Sequence, residues 1–508
     1  MGVIQRQSLK FTIINFFGTF IGFLSVVFIY SLNKELYGYF QFLYSNASLL
    51  LPILGFGIHG AIIKYAPIFE NKGESKQFFV FSLALTTICA ILSTLFISIL
   101  YYLFYPLFGT LFKNFQAIDD NKFIILTLGI IFLYSTLFVF QAISRYRIVI
   151  PDLINTVGLK FFLPILILLF HFEFISRNGF IYTVIIYFII IAFVLFFYVV
   201  SLGKHDIKPK LDILNKEEYK GLFGFMYYSS LNSLGSNFAL RMDVIMIGSM
   251  ISYEAVGIYF IILVISNVMD IPAKAINQIT GPVISKNWVD DDQQNIQDIY
   301  FKSSIYGGII GVFLFLMIYV IWPDVILLMP KDKDGLSIEL ALSVFTFLGL
   351  AKIVDIITGV NTNIISYSKD YKFNMYFLLV LGVLNLGLNY LFLTKYGIVG
   401  AAIATFLSMV IYNVLKHFFV FYRFGFQLNI LPIIQIIGTG ILVFTVMALV
   451  DLPFHPILNM VLKVGILATI YSSLIWMVNP GHEFRSQVIQ IVKNYKSFLP
   501  NIVSKYLL

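Results

Sequence analysis

Long apolar runs dominate this chain of 508 residues. About fourteen of them are long enough to cross a bilayer as a helix, which takes roughly 20 apolar residues. Only 12% of the residues are charged and the mean hydropathy is +0.90, whereas soluble domains carry about 25% charged residues. We therefore predict an all-α polytopic membrane protein with no sizeable soluble domain. The predicted spans are approximately 11–32, 40–63, 78–102, 123–143, 153–171, 179–201, 222–250, 255–277, 304–328, 338–366, 373–393, 396–420, 430–450 and 455–478.

Positive charges are distributed unevenly between alternate loops. With the N-terminus in the cytoplasm, most Lys and Arg residues fall in cytoplasmic segments, including five lysines between Lys204 and Lys220. This asymmetry is the positive-inside pattern, and it places both termini in the cytoplasm. The net charge of +8 therefore needs no nucleic acid partner. The loops on the opposite side hold only Lys34, Lys113, Lys122, Arg177, Lys331, Lys333 and Lys395.

A turn motif of the form acid-x-x-Gly occurs twice, each time between two apolar runs. Glu35 and Gly38 stand in the first copy, and Glu254 and Gly257 stand 219 positions later. Six predicted spans separate the copies, so both lie on the outer face in the same orientation, which indicates parallel repeats related by an axis along the membrane normal. The predicted organisation is a six-helix bundle at 1–202, a cytoplasmic linker at 203–221, a second six-helix bundle at 222–422, accessory helices 13 and 14 at 423–478, and a cytoplasmic tail at 479–508.

Polar and ionisable residues within the predicted spans are the candidates for function. An ionisable side chain inside a bilayer costs about 2.5 to 3.5 kcal/mol on insertion scales, so such residues usually face a protein interior or a water-filled cavity. For the substrate cavity, binding a headgroup or glycan, we propose Arg241, Lys352, Lys160, Asn237, His59 and Asn15. For ion coupling we propose Asp243, Asp270 and Asp355.

Local pairing offers a structural alternative for some of these residues. Asp270 can pair with Lys274 at i, i+4, and Lys352 with Asp355 at i, i+3, on one face of a helix. Arg241 and Asp243 cannot do so, because an i, i+2 spacing points them in different directions.

Three further residues have alternatives of their own. Lys160 has no acid within one turn, and at mid-span we expect it to face the cavity rather than snorkel. For His59 the alternative to a cavity role is packing in the protein interior with a single hydrogen bond. For Lys463, on the accessory pair, the alternative to a functional role is that its side chain snorkels to the membrane surface.

Residues for covalent, metal or nucleotide chemistry are scarce. Cys89 is the single cysteine, so neither an intrachain disulfide nor a cysteine metal site is expected. The segment from Gly55 to Gly60 matches the GxGxxG pattern, but a dinucleotide site requires a strand before it and a helix after it. Because the segment from Gly55 to Gly60 lies within a predicted span, we do not expect it to bind a nucleotide. We also expect no catalytic residues, no metal and no cofactor.

The motifs together resemble a known family. The span pattern, the Glu254-x-x-Gly257-x-Tyr259 turn, the Arg241-Met242-Asp243 segment and the run beginning Tyr396-Gly397 are similar to the polysaccharide-transporter branch of the multidrug/oligosaccharidyl-lipid/polysaccharide exporter superfamily. This branch includes the Wzx-type O-antigen and capsule-repeat flippases. The resemblance covers nearly the whole chain, and its motifs specify the superfamily better than any one substrate.

This resemblance implies a function and a location. Such proteins move undecaprenyl-diphosphate-linked oligosaccharides from the inner to the outer leaflet by alternating access between two six-helix bundles. The expected location is the bacterial inner membrane. The expected partners are the lipid-linked oligosaccharide, membrane lipids, and the polysaccharide polymerase and chain-length machinery.

Three other functions compete with this interpretation. A cation-coupled multidrug exporter commonly has an acid in its first helix, where this chain offers only Asn15. Lipid II flippases carry arginines in their first, second and eighth helices, and the corresponding predicted spans here contain none. A membrane-embedded glycan polymerase or ligase, which would be an enzyme, usually needs longer outer loops than this sequence has.

Overall fold

The computed structural model describes residues 17–73, 75–111, 116–145, 147–202, 215–330 and 336–481, together with Arg485 and Ile489. Within these residues every regular element is helical, which confirms the all-α part of the predicted fold class. The chain divides into two compact units. Unit 1 comprises Met1–Val264, Met329–Leu336 and Asn374–Ser408, and unit 2 comprises Ile265–Leu328, Ser337–Phe373 and Met409–Leu508.

Unit 1 contains the first ten helices and part of a long late helix. Residues 374–408 of α15, which as a whole spans Phe373–Phe424, belong to this unit. The others are α1 Phe17–Phe28, α2 Lys34–Leu54, α3 Ile58–Asn71, α4 Ser75–Leu111, α5 Gln116–Ile143, α6 Val149–Asp152, α7 Gly158–His171, α8 Arg177–Ser201, α9 Lys216–Met250 and α10 Tyr253–Ser266, of which the last two residues fall in unit 2.

Unit 2 contains the remaining helices and the last turns of α15. These are α11 Asp270–Val289, α12 Gln293–Leu328, α13 Ile338–Ile357, α14 Asn361–Tyr367, α16 Ile430–Met447 and α17 Pro456–Val478. Polar caps fix several helix starts. The Asn33 side chain accepts a hydrogen bond from the Leu36 backbone N–H at the start of α2, and Asn215 forms a capping box with Glu218 at the start of α9.

Ten helices of the described residues are long and apolar enough to span a membrane. The number is eleven when the bent pair Phe17–Phe28 and Tyr30–Leu54, with 46° between them, is added as one span. The difference from fourteen has local causes. The predicted spans 373–393 and 396–420 both lie in α15, which is kinked at Gly397 (φ 57°, ψ −140°), and α9, which covers the predicted span 222–250, is not among the ten.

The predicted span 40–63 is not one continuous helix. It is interrupted between α2 and α3, where Phe56 and Gly57 adopt left-handed backbone conformations with φ of 44° and 73°. A Cβ atom at Gly57 would lie 2.1 Å from the carbonyl oxygen of Met226 in α9. This close approach of two backbones requires glycine, and it explains Gly57 of the GxGxxG segment without a nucleotide.

Candidate functional site

The two copies of the repeated turn motif contact each other in unit 1. Each copy forms the first turns of a helix, α2 or α10, and the two helices cross at their glycines. A Cβ atom on Gly38 would lie 1.8 Å from the carbonyl oxygen of Tyr253, and one on Gly257 would lie 2.0 Å from the carbonyl oxygen of Lys34. The contact is reciprocal, because each glycine meets the residue four positions before the other glycine.

Aromatic and charged side chains surround this crossing. The Tyr39 hydroxyl donates to Asn121 Oδ1 at 2.5 Å, and Asn121 Nδ2 donates to the Tyr253 hydroxyl at 3.1 Å. Arg177 forms an ion pair with Glu35 at 3.3 Å, and its guanidinium lies 4.9 Å from the centre of the Tyr39 ring. The cluster holds the first turns of α2 and α10 together.

A buried carboxylate surrounded by neutral donors lies further along α9. Asp243 is only 5% exposed. Its Oδ2 accepts hydrogen bonds from the hydroxyls of Tyr259 and Thr405, both at 2.6 Å, and its Oδ1 accepts one from Asn389 Nδ2 at 3.1 Å. Asn385 borders the group, because its Oδ1 accepts a hydrogen bond from the same Asn389 amide. We call these five residues the Asp243 cage.

The cage has the composition of a site for a proton or a small hard cation. Carboxylate, hydroxyl and amide oxygens are the ligands that such cations prefer. Among the described residues no Lys, Arg or His forms an ion pair with Asp243. Within the residues that the structure describes, no group of three or more His, Cys, Asp or Glu side chains is placed to hold a metal ion.

The neighbouring Arg241 points away from the cage. Its guanidinium lies 5.0 Å from the centre of the Tyr44 ring, so Arg241 and Asp243 have separate partners, as their spacing predicts. Asn237, one turn earlier, donates its amide to the Ser233 carbonyl of the same helix at 2.9 Å.

The remaining candidates of the first half occupy different surroundings. The His59 ring contacts Phe140 edge to face, and its buried Nε2 has no hydrogen-bond partner among the described residues. The aliphatic stem of Lys160 lies near Gly18 and Gly22, and a Cβ added to these glycines would meet its Cδ at 3.5 and 3.7 Å. Asn15 lies outside the described residues.

In unit 2 the predicted intrahelical pairs are replaced by a pair between helices. Lys352 Nζ lies 2.8 Å from Asp270 Oδ2, so α13 is tied to α11, and Lys274 is left exposed. The structural alternative, in which Asp270 pairs with Lys274 and Lys352 with Asp355, is therefore not what the structure shows. Spacing on one helix cannot reveal a partner that a neighbouring helix supplies.

The remaining acid, Asp355, belongs to a network that includes a buried lysine. Asn413 Nδ2 donates to Asp355 Oδ1 at 3.2 Å. Lys416 is 1% exposed, donates to the hydroxyls of Thr362 and Tyr412, and is attracted by the Asp355 carboxylate. Sequence reasoning missed Lys416, although its position within the predicted span 396–420 was a sufficient signal.

Lys463 is not a snorkelling lysine. Its ammonium lies 2.6 Å from Asp324 Oδ2, and the two side chains are 13% and 4% exposed. Asn459 completes the contact with a hydrogen bond to Asp324 Oδ1 at 3.3 Å. Asp324 also lies within a predicted span, and the pair ties the accessory helix α17 to α12.

Comparisons with known proteins identify the class of fold. The MatE family model matches residues 229–391. Among solved structures, "Lipid II flippase MurJ, inward closed conformation" superposes with a TM-score of 0.68 at 15% identity, covering 92% of this chain and 99% of that one. The inward-facing conformation of a multidrug resistance MATE family transporter of the MOP superfamily gives a TM-score of 0.61 at 14% identity, covering 80% and 94%.

One curated relative is a glycan flippase. "Probable low-salt glycan biosynthesis flippase Agl15" of Haloferax volcanii is 24% identical over 213 residues, which are 42% of this chain and 44% of that protein. The chain thus spans less than half the length of the relative it matches. The predicted resemblance to the exporter superfamily is confirmed, the chain is a multi-pass membrane protein with the fold of these transporters, and the similar proteins are transporters and flippases.

Proposed function

We propose that this protein is a flippase that moves undecaprenyl-diphosphate-linked polysaccharide repeat units from the inner to the outer leaflet. The observation that carries the proposal is the sequence similarity to a glycan biosynthesis flippase, on a fold shared with a lipid II flippase. The proposed location is the bacterial inner membrane with both termini in the cytoplasm. The proposed partners include the polysaccharide polymerase and chain-length machinery.

The proposed architecture is two parallel six-helix repeats, 1–202 and 222–422, followed by an accessory pair, with fourteen spans in all. The reciprocal contact of Gly38 and Gly257 supports the repeat. Helix length supports two crossings in α15, since its 52 residues would be about 78 Å long at 1.5 Å per residue, more than twice the bilayer core. Alternating access would rock the two bundles.

We propose that positively charged side chains bind the substrate headgroup. We also propose that the membrane potential, acting on the headgroup charge, favours outward transport. Arg241, Lys352 and Lys160 would attract the diphosphate, with Asn237, His59 and Asn15 serving the headgroup or glycan. A headgroup with a charge near −2 is repelled from the negative inner side, so its outward movement releases about 2.3 kcal/mol per charge per 100 mV, or roughly 5 kcal/mol in total.

The cation hypothesis is tested by Arg241→Ala and Lys352→Ala, made singly in the full chain. We expect surface polysaccharide to fall at least about tenfold in each, since each removes a charge that would contact the diphosphate. Lys274→Ala is the matched control for Lys352→Ala, because Lys274 is an exposed cation of the unit that contains Lys352. Normal surface polysaccharide in both variants, with expression verified, would refute the anion-binding role.

The Asp243 cage is the proposed coupling site. Asp270 pairs with Lys352 and Asp355 lies beside Lys416, whereas Asp243 is held by neutral groups that leave its charge available to a proton or Na⁺. In proteoliposomes, flipping should depend on either the pH gradient or the Na⁺ gradient, and Asp243→Asn should abolish that dependence. Wild-type flipping that is unaffected by collapse of each gradient would show that the cage is structural.

A cation-coupled multidrug exporter is the second candidate function, favoured by the MatE match and by the MATE fold. It predicts that deletion of the gene raises sensitivity to cationic dyes and leaves surface glycan normal. The flippase predicts the opposite pattern, so one deletion strain distinguishes the two functions. The polymerase or ligase alternative predicts that flipping in proteoliposomes is absent.

A further inference from the structure

A small polar cavity lies within unit 2, apart from the Asp243 cage. Its volume is about 40 Å³. Residues of α11, α12, α13 and α14 contribute to its wall, and the polar side chains among them are Asn277, Ser303, Asp355, Asn361 and Thr362. Polar groups from four helices therefore converge on a space that no side chain fills.

Two buried polar atoms of this wall have no partner among the described residues. Asn361, only 2% exposed, has an unpaired Nδ2 donor, and Asn277 has an unpaired Oδ1 acceptor. The other ends of both amides are engaged: Asn361 Oδ1 accepts from Thr362 at 3.4 Å, and Asn277 Nδ2 donates to the Ala273 carbonyl at 2.9 Å. Leaving a buried donor or acceptor unpaired costs about 1 to 3 kcal/mol, so the pair indicates a missing partner.

The chemistry of the wall selects a neutral partner. A cation would meet the Asn361 amide hydrogens and the field of the buried Lys416, whereas an anion would meet the Asp355 carboxylate and the Asn277 carbonyl. A hydroxyl group both donates and accepts. A hydroxyl therefore matches both kinds of unpaired atom in the wall, the acceptor of Asn277 and the donor of Asn361.

The volume of the cavity limits the size of the group to which this hydroxyl is attached. A water molecule needs about 10 to 15 Å³ of such space, so 40 Å³ exceeds the need of one water and would accept a hydroxyl together with its carbon, but not a sugar ring. We propose that this cavity is a subsite that accepts a protruding hydroxyl or hydroxymethyl group of the transported glycan. This inference rests on the proposed flippase function. Water also donates and accepts hydrogen bonds, so it is the alternative occupant of the cavity.

The experiment compares two lipids on the purified full-length protein. The probes are the host strain's undecaprenyl-diphosphate-linked repeat unit and undecaprenyl diphosphate without glycan, and the readout is the ratio of their dissociation constants. In Asn361→Leu the preference for the glycosylated lipid should fall about tenfold. This factor corresponds to the binding free energy that one or two hydrogen bonds usually contribute. The affinity for undecaprenyl diphosphate should stay constant. Asn277→Leu should act in the same way and serves if the first variant does not fold.

Asn287→Leu is the matched control. Asn287 lies on α11 with Asn277 and also has an unpaired buried Nδ2, but it does not line the cavity, so the ratio should not change. An unchanged ratio in both cavity variants would overturn the subsite and assign the space to water only. Equal wild-type affinity for the two lipids would also overturn it while leaving the diphosphate flippase intact. Failure of the wild type to bind either lipid would refute the proposed function itself.

Discussion

Buried acids are neutralised differently in the two units. In unit 1, Asp243 receives hydrogen bonds from two hydroxyls and an amide. In unit 2, the buried Asp324 pairs with Lys463, and Asp270, whose side chain is 24% exposed, pairs with Lys352, each on another helix. In the buried Asp324 pair a lysine occupies the counter-ion position, whereas the hydroxyl and amide dipoles around Asp243 leave that position to a mobile cation. The difference supports a structural role for the Asp324 pair and the proposed coupling role of Asp243.

The largest effect should come from removing a lysine from a buried pair. Lys463→Met leaves the Asp324 carboxylate, 4% exposed, without its cation. Breaking a buried pair costs about 3 to 5 kcal/mol, because the remaining charge is uncompensated. We expect a loss of this size in the free energy of unfolding, measured by chemical denaturation in detergent.

The double variant Lys463→Met/Asp324→Leu is the control for that loss. Replacing both members of a buried pair by apolar residues is often neutral, so most of the stability should return. If the double variant is as unstable as the single one, packing rather than charge explains the result.

A smaller effect is expected in the Asp243 cage. Tyr259→Phe removes one of three donors, and a hydrogen bond to a charged group contributes about 1.5 to 3 kcal/mol. Thr405→Val should cost a similar amount, and the two losses should not be additive because both donors share Oδ2. A cost in either variant equal to that of Lys463→Met would remove the distinction between the two units.

The smallest effect should come from a solvent-exposed pair. Lys72 Nζ lies 2.6 Å from Glu218 Oε1, and this hydrogen bond, with that of the Asn215 backbone, lowers the pKa of the Glu218 carboxyl. A depressed pKa stabilises the folded state above the unfolded value of about 4.3, and this contribution is lost as pH falls through the folded value. Glu218→Gln should reduce the unfolding temperature slightly at pH 7 relative to wild type, and the difference should shrink as the pH falls below about 4. A difference that is as large at pH 3 as at pH 7 would contradict this origin.

Much of the fold could be predicted from sequence because a span is a local property. Twenty apolar residues define a helix wherever it packs, so the helical class and most helix positions follow directly. The break at Gly57 did not follow, because its cause is the backbone of α9 at Met226, which is remote in sequence.

The site was predictable only in part, because partners come from other helices. The sequence identifies Asp243 as an intramembrane acid, but Tyr259, Asn389 and Thr405 lie up to 162 positions away. One signal was available in the repeat. The positions 219 residues before Asp243 and Tyr259 hold Leu24 and Phe40, so the first half lacks both the acid and its hydroxyl donor.

The glycine crossing also supports the proposed duplication of the chain. Gly38 meets Tyr253, and Gly257 meets Lys34, which are matching positions in the proposed repeat. Such a pair of contacts is the isologous geometry of a two-fold axis. Before the proposed duplication, the same surface would have met its own copy in a homodimer of half-length chains. A substitution at that glycine would then have entered the interface twice, whereas fusion allowed the two partners to diverge separately.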